Sequence, residues 1–151
     1  MPVTNDYLDM LWKILLTVLL CGVIGSEREI RHKGAGLRTH ILVGVGSALI
    51  SLTSFYIFDI YKDVTFIDPT RIIAGIVTGV GFLCAGTIIR GGKHIIGLTT
   101  AATLWIVSGI GMAVGSGHYS AAIVVSIVVF LVLIGLRSFE GVLARKFQNN
   151  K

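Results

Sequence analysis

The stretch that decides the fold is residues 119–136, YSAAIVVSIVVFLVLIGL, eighteen positions without a single charge. A helix needs roughly 20 apolar residues to cross a bilayer, so this run is long enough for one span. It shows no alternation of polar and apolar residues. A barrel strand is thereby excluded, and the backbone groups must be satisfied within a helix. Working outward, four more runs qualify, at about 8–26, 39–58, 71–89 and 95–115. The chain therefore reads as all-α, a polytopic membrane helix bundle with five transmembrane helices in one membrane domain, followed by a basic tail at 137–151. Composition agrees. Only 14% of the 151 residues are charged, against roughly a quarter in a soluble domain. The first apolar run is of full length and has no basic leader, so no cleavable signal is expected.

Charge gives the orientation. Arg28, Arg31, Lys33 and Arg38 fall between spans one and two, Arg90 and Lys93 in the turn 90–94, and Arg137, Arg145, Lys146 and Lys151 in the tail. If these segments share a side, ten of the thirteen Lys and Arg residues lie there. The positive-inside rule then places the N-terminus outside and the C-terminus in the cytoplasm. Tyr7, Tyr56, Tyr61 and Tyr119 all fall near the outer span ends, where an aromatic belt belongs. The same asymmetry accounts for the net charge of +5. No basic helix face with an aromatic platform accompanies it, so nucleic acid is not an expected partner. The lipid bilayer is.

Lipid is as apolar as leucine, and spans therefore cohere by close packing. Gly22 and Gly25 in the first span, Gly75 and Gly79 in the third, and Gly111 and Gly115 in the fourth allow helices to approach, within one chain or between chains in a homo-oligomer. Cys21 and Cys84 sit inside apolar runs as small hydrophobes. Trp105, near mid-span, is expected to pack internally.

Signatures of catalysis are absent. The run 86–94 has Gly92 where a phosphate-binding loop needs lysine, and no nucleophile elbow occurs. No two of His32, His40, His94 and His118 have metal-ligand spacing, so the reading is of a non-enzyme without a cofactor. The informative residues are the polar ones at span ends. Glu27 closes the first span and Glu29 lies about 200° further round a helix, so one carboxylate can face the bundle while the other meets water. Arg31 is one turn beyond Glu27, and Arg38 and Thr39 enter the second span from the same side. Glu27 and Arg38 can form a half-buried ionic cluster, or these charges can simply mark the membrane boundary. Asp68 suits a cap on the third span, with Pro69 at the first helical position and Arg71 a turn in. Thr99, Thr100 and Thr103 can bond back to their own helix or line a polar interface. The interiors of spans two to five hold no carboxylate, which suits neither a divalent-cation path nor a proton relay.

Several phrases together resemble the MgtC/SapB family of bacterial inner-membrane proteins. They are Gly22-Val-Ile-Gly25-Ser-Glu27-Arg28-Glu29, Ala35-Gly36-Leu37-Arg38-Thr39-His40, Asp68-Pro69-Thr-Arg71, Gly79-Val-Gly81-Phe82-Leu-Cys84-Ala85-Gly86 and Gly97-Leu98-Thr99-Thr100-Ala101-Ala102-Thr-Leu104-Trp105. The resemblance implies a multi-pass protein of the cytoplasmic membrane tied to magnesium homeostasis and, in some pathogens, to virulence. It implies either a regulator of another membrane transport or energy-coupling complex, or a cation transporter or channel in its own right. It carries functional weight to Glu27, Arg28, Glu29, Arg38, Thr39, Asp68, Arg71, Thr99 and Thr100, and adds Gly81 and Gly86 to the packing glycines. Which metal, if any, binds is left unknown. The chain departs from the family pattern at Cys84, where glycine is usual, and at Gly75, where glutamine is frequent. It also resembles the short form, without the soluble domain of longer members.

Overall fold

A computed structural model describes residues 7–91 and 94–148, with side chains described over 7–90 and 94–136. Five helices form: α1 (Tyr7–Ile30), α2 (Leu37–Tyr61), α3 (Thr70–Thr87), α4 (Leu98–Gly115) and α5 (Tyr119–Gln148). Each contains a stretch long and apolar enough to span a membrane.

Helix α4 is the axis of the bundle. It touches α1, α2, α3 and α5, and 56% of its apolar stretch is buried, against 17% in α3 and in α5. Small residues let it take that position. A Cβ at Gly111 would collide with the carbonyl of Gly44 on α2, and one at Gly115 would lie 2.8 Å from the Ala48 carbonyl oxygen. The two backbones therefore approach more closely than any side chain would permit. On α2 the stripe His40, Gly44, Ser47, Ser51 and Ser54 is buried, at spacings of three and four residues that keep one helical face. On α1 the matching stripe is Thr17, Cys21, Ile24 and Arg28. Apart from Ile24 both stripes are small or polar, while the outward faces carry leucine, isoleucine and valine. This is the arrangement of a protein whose solvent on the outside is lipid.

Glycine does not play that part in α3. A Cβ at Gly75, Gly79, Gly81 or Gly86 would meet nothing within 4 Å among the described residues, so these glycines make no close helix approach there. Only Ile76 and Val80 of α3 are buried. Gly75 and Gly79 instead line an open apolar groove of about 460 Å³ with Leu42, Gly46, Ile72 and Ile76. Trp105 is 54% exposed, on the outer face of α4, in contrast to the internal packing expected of it.

Three boundaries differ from the sequence reading. Between α3 and α4 the chain forms an antiparallel hairpin, with β1 (Ile89–Gly91) paired to β2 (His94–Ile96), where the third and fourth spans were expected to run to 89 and from 95. Five isoleucines and glycines in that run look apolar enough for a span, but β-branched residues around a glycine pair also suit a hairpin. Gly97 then turns the chain into α4 at φ 96°, and a Cβ there would strike the Thr87 carbonyl. Finally, residues 137–148 continue α5 as helix, since no proline interrupts them, and 149–151 lie outside the described residues.

Candidate functional site at the basic end of the bundle

Successive helices run in opposite directions, so the α1–α2 connection, the hairpin and the start of α4 share one end. Bonds across that end confirm it: Arg28 at the close of α1 reaches Thr100 at the start of α4, and the Cys84 thiol of α3 donates to the Ala101 carbonyl at 3.1 Å.

The site is built around two charges that should be in water and are not. Glu27 is 7% exposed and Arg28 5%. Their ion pair, Nη1 to Oε2, measures 3.6 Å, too long for a hydrogen bond. Arg31, one turn on and half-exposed, meets the other Glu27 oxygen through its Nε at 3.3 Å. Arg28 Nη2 donates to the Thr100 hydroxyl at 3.3 Å, joining α1 to α4. Two buried atoms of the pair, Glu27 Oε2 and Arg28 Nε, have no hydrogen-bond partner among the described residues. A buried ion pair recovers its desolvation cost only when its remaining polar atoms are satisfied, and the described residues satisfy this pair only in part.

Glu29, exposed on the other side of α1, has a separate task. Its Oε2 accepts the backbone N–H of Leu37 at 3.0 Å. The N-cap of α2 is Gly36, which has no side chain to cap it, so Glu29 supplies an acceptor for the free N–H end and ties the end of α1 to the start of α2. The loop between them turns at His32 (φ 52°), with the Lys33 N–H bonded to the Arg28 carbonyl.

Sequence reasoning gave no role to one member of the site, His40, and named a second, Thr103, only as a helix back-bond or polar lining. His40 is fully buried, its Nδ1 2.8 Å from the Gly36 carbonyl and its Nε2 3.0 Å from the Thr103 hydroxyl. Thr103 in turn lies 2.9 Å from the Thr100 carbonyl. A chain of polar contacts thus runs from Glu27 through Arg28, Thr100 and Thr103 to His40, across α1, α4 and α2. The signal was legible in the stripes: Arg28 stands on the Thr17–Cys21–Ile24 face, and His40 heads the Gly44–Ser47–Ser51 face. Burial of His40 also rotates its neighbours outward, and Arg38, Thr39 and Thr99 are all exposed. The partners of Glu27 are Arg28 and Arg31, not Arg38.

Asp68 and Arg71 lie at the opposite end. Asp68 Oδ1 accepts from both the N–H and the hydroxyl of Thr70, at 2.9 and 2.6 Å, so it serves the entrance of α3 from one residue further out than expected, with Pro69 at the N-cap and Thr70 the first helical residue. Those bonds hold its carboxyl below the usual carboxylate range. Arg71 is exposed. Among the described residues, no three His, Cys, Asp or Glu side chains converge as a metal site.

Fold and site together define a polytopic membrane protein with a water-poor ionic cluster at one end of its bundle. A family model described as the MgtC family matches residues 14–142, and the chain belongs to that family. It is 48% identical over 127 residues to the "Putative magnesium transporter YhiD" of Escherichia coli, covering 83% of this chain and 59% of that one. It is 43% identical over 125 residues to "Protein MgtC" of Salmonella typhimurium, 82% of this chain and 51% of the relative. To "Protein SapB" of Bacillus subtilis the identity is 41% over 118 residues, 76% and 50% of the two chains. The chain thus spans between half and three-fifths of the length of these curated relatives. No solved structure matches it. Five spans and family membership make it a multi-pass inner-membrane protein.

Proposed function

We propose that this chain serves magnesium or ion homeostasis by regulating another membrane transport or energy-coupling complex, acting without catalysis through the cluster at its basic end. In this reading that end faces the cytoplasm, which the distribution of lysine and arginine supports. The observation that carries the proposal is the buried and incompletely satisfied Glu27–Arg28 pair at the junction of three helices. Apolar residues of equal volume would hold such a junction at least as well, so a pair of this kind points to a role in switching between arrangements. Magnesium enters through the name of the E. coli relative.

The test is growth of a deletion strain at limiting magnesium, complemented with Glu27→Gln or Arg28→Met. Both variants are expected to insert and fail to complement, and full complementation by both would overturn the reading. The second reading, a cation transporter or channel in its own right, is favoured by that same relative's name. It has less support from the chain, whose spans two to five hold no interior carboxylate. Self-association belongs to the proposal as well. Gly75 and Gly79 lie uncovered along α3. A Gly75→Cys variant in membranes is expected to give disulfide-linked dimers above the parent chain's level, and the absence of any increase would count against this face.

A further inference from the structure

Hydrogen-bond bookkeeping around His40 leaves one proton with two places to go. Nδ1 faces a carbonyl oxygen, that of Gly36, and a carbonyl only accepts. The ring must therefore carry its proton on Nδ1 in every state. Nε2 faces the Thr103 hydroxyl, which has a single proton and lies within bonding distance of the Thr100 carbonyl as well. With neutral His40, the Thr103 hydroxyl donates to Nε2. With protonated His40, Nε2–H donates to the Thr103 oxygen, and the hydroxyl turns to the Thr100 carbonyl. All three heavy-atom distances, 2.8, 3.0 and 2.9 Å, suit both states. His40, Thr103 and the two carbonyls can thus bind or release the proton by rearranging hydrogens alone.

We propose that His40 is a proton-binding site between α2 and α4, and that its occupancy is read by Arg28. Of the groups that face it, α1 meets His40 at Gly25, one turn before Arg28, whose charge His40 feels and which Glu27 adjoins, and supplies Cys21, one turn away against Gly44. Helix α4 supplies only hydroxyls, having no charged residue or histidine from Leu98 to Gly115, and the α3 contact is the Cys84 thiol on Ala101. Arg38 on α2 itself points outward. Among the described residues, a charge arriving on His40 therefore acts on Arg28. That guanidinium holds Thr100 by a long bond of 3.3 Å, and beside it Glu27 Oε2 accepts no hydrogen bond from the described residues. Repulsion from His40 drives Arg28 off Thr100 and closes the 3.6 Å ion pair into a charge-assisted hydrogen bond. Proton uptake thus tightens α2 on α4 and loosens α1 from α4.

This deepens the regulatory reading by naming what the cluster senses, but its test needs neither a partner nor transport. The full chain, labelled with ¹⁵N-histidine and ¹⁵N-arginine, is placed in lipid nanodiscs and followed by NMR from pH 8.5 to 4.5. His40 is expected as the Nδ1–H tautomer at high pH, converting to imidazolium within the range, with the Arg28 side-chain resonances shifting along the same curve. Thr103→Val, which removes the acceptor for Nε2–H, is expected to lower the midpoint by about one pH unit or more, and Thr103→Ser to leave it in place. An Nε2–H tautomer, a His40 that stays neutral throughout, or a midpoint unmoved by Thr103→Val would overturn the proposal. So would a titration to which the Arg28 resonances do not respond.

Discussion

Replacing Arg28 by alanine probes the site where its energetics are most exposed. In the parent chain the Glu27 carboxylate, 7% exposed, has two cationic neighbours, Arg28 at 3.6 Å and the half-exposed Arg31 at 3.3 Å. Arg28→Ala removes the buried partner and leaves Glu27 with one neighbour that is shared with solvent. Breaking a buried ion pair from one side costs about 3–5 kcal/mol, and since Arg31 remains, the lower end, about 3 kcal/mol, applies. Truncating both, as Glu27→Ala with Arg28→Ala, leaves no stranded charge. The double variant is therefore expected to lose less than the sum of the singles, with a coupling of about 2 kcal/mol. Reversible unfolding of the protein in bicelles, measured for the four members of the cycle, gives the number. Additive losses, or an Arg28→Ala cost below about 1 kcal/mol, would show that the pair is not desolvated as described. Arg38→Ala, by contrast, is expected to change stability by no more than about 0.5 kcal/mol, because its side chain is exposed.

Two further outcomes follow from geometry. Gly111→Val forces a side chain into the Gly44 carbonyl and is expected to destabilise by about 3 kcal/mol or more, whereas Gly75→Ala in the open groove is expected to be neutral or slightly stabilising; equal effects in the same unfolding assay would refute the α2–α4 contact. Because hydrogen bonds from Thr70 lower the Asp68 carboxyl, its contribution to the α3 entrance is complete above the unfolded value near 4 and is lost as pH falls through the lower folded value. Backbone amide exchange at Thr70–Ile72 is thus expected to be faster in Asp68→Ala than in the parent at pH 6, with the difference vanishing in strong acid; a difference that persists there would contradict the cap.

The membrane spans were legible because hydrophobicity over eighteen residues is a property of composition, as in 119–136. Rotation about each helix axis is not. Glu27 and Arg28 differ by about 100° of helical turn, and nothing local says which of Arg28, Arg31 and Arg38 will face it. The deciding information was distributed. Thr17, Cys21 and Ile24 point the way for Arg28, as Gly44, Ser47 and Ser51 do for His40, but only once those small residues are known to be the buried ones. The GxxxG spacings illustrate the converse. The fourth span's pair, Gly111 and Gly115, packs on α2, while the third span's identical spacing, Gly75 and Gly79, makes no close helix approach among the described residues. Spacing gives the capacity for close approach, and only the fold gives the partner. The hairpin at 89–96 was hidden for a related reason, since isoleucine serves strand and span alike.

The central claim is that the buried cluster works by changing the arrangement of helices and not by passing ions. Sealed proteoliposomes containing only this protein, inserted in known orientation, test it most directly, with magnesium and monovalent cations assayed separately against protein-free vesicles. The account predicts no flux above the protein-free level for the parent or for Glu27→Ala. Magnesium flux in the parent that disappears with Glu27→Ala would contradict it and make the chain a transporter.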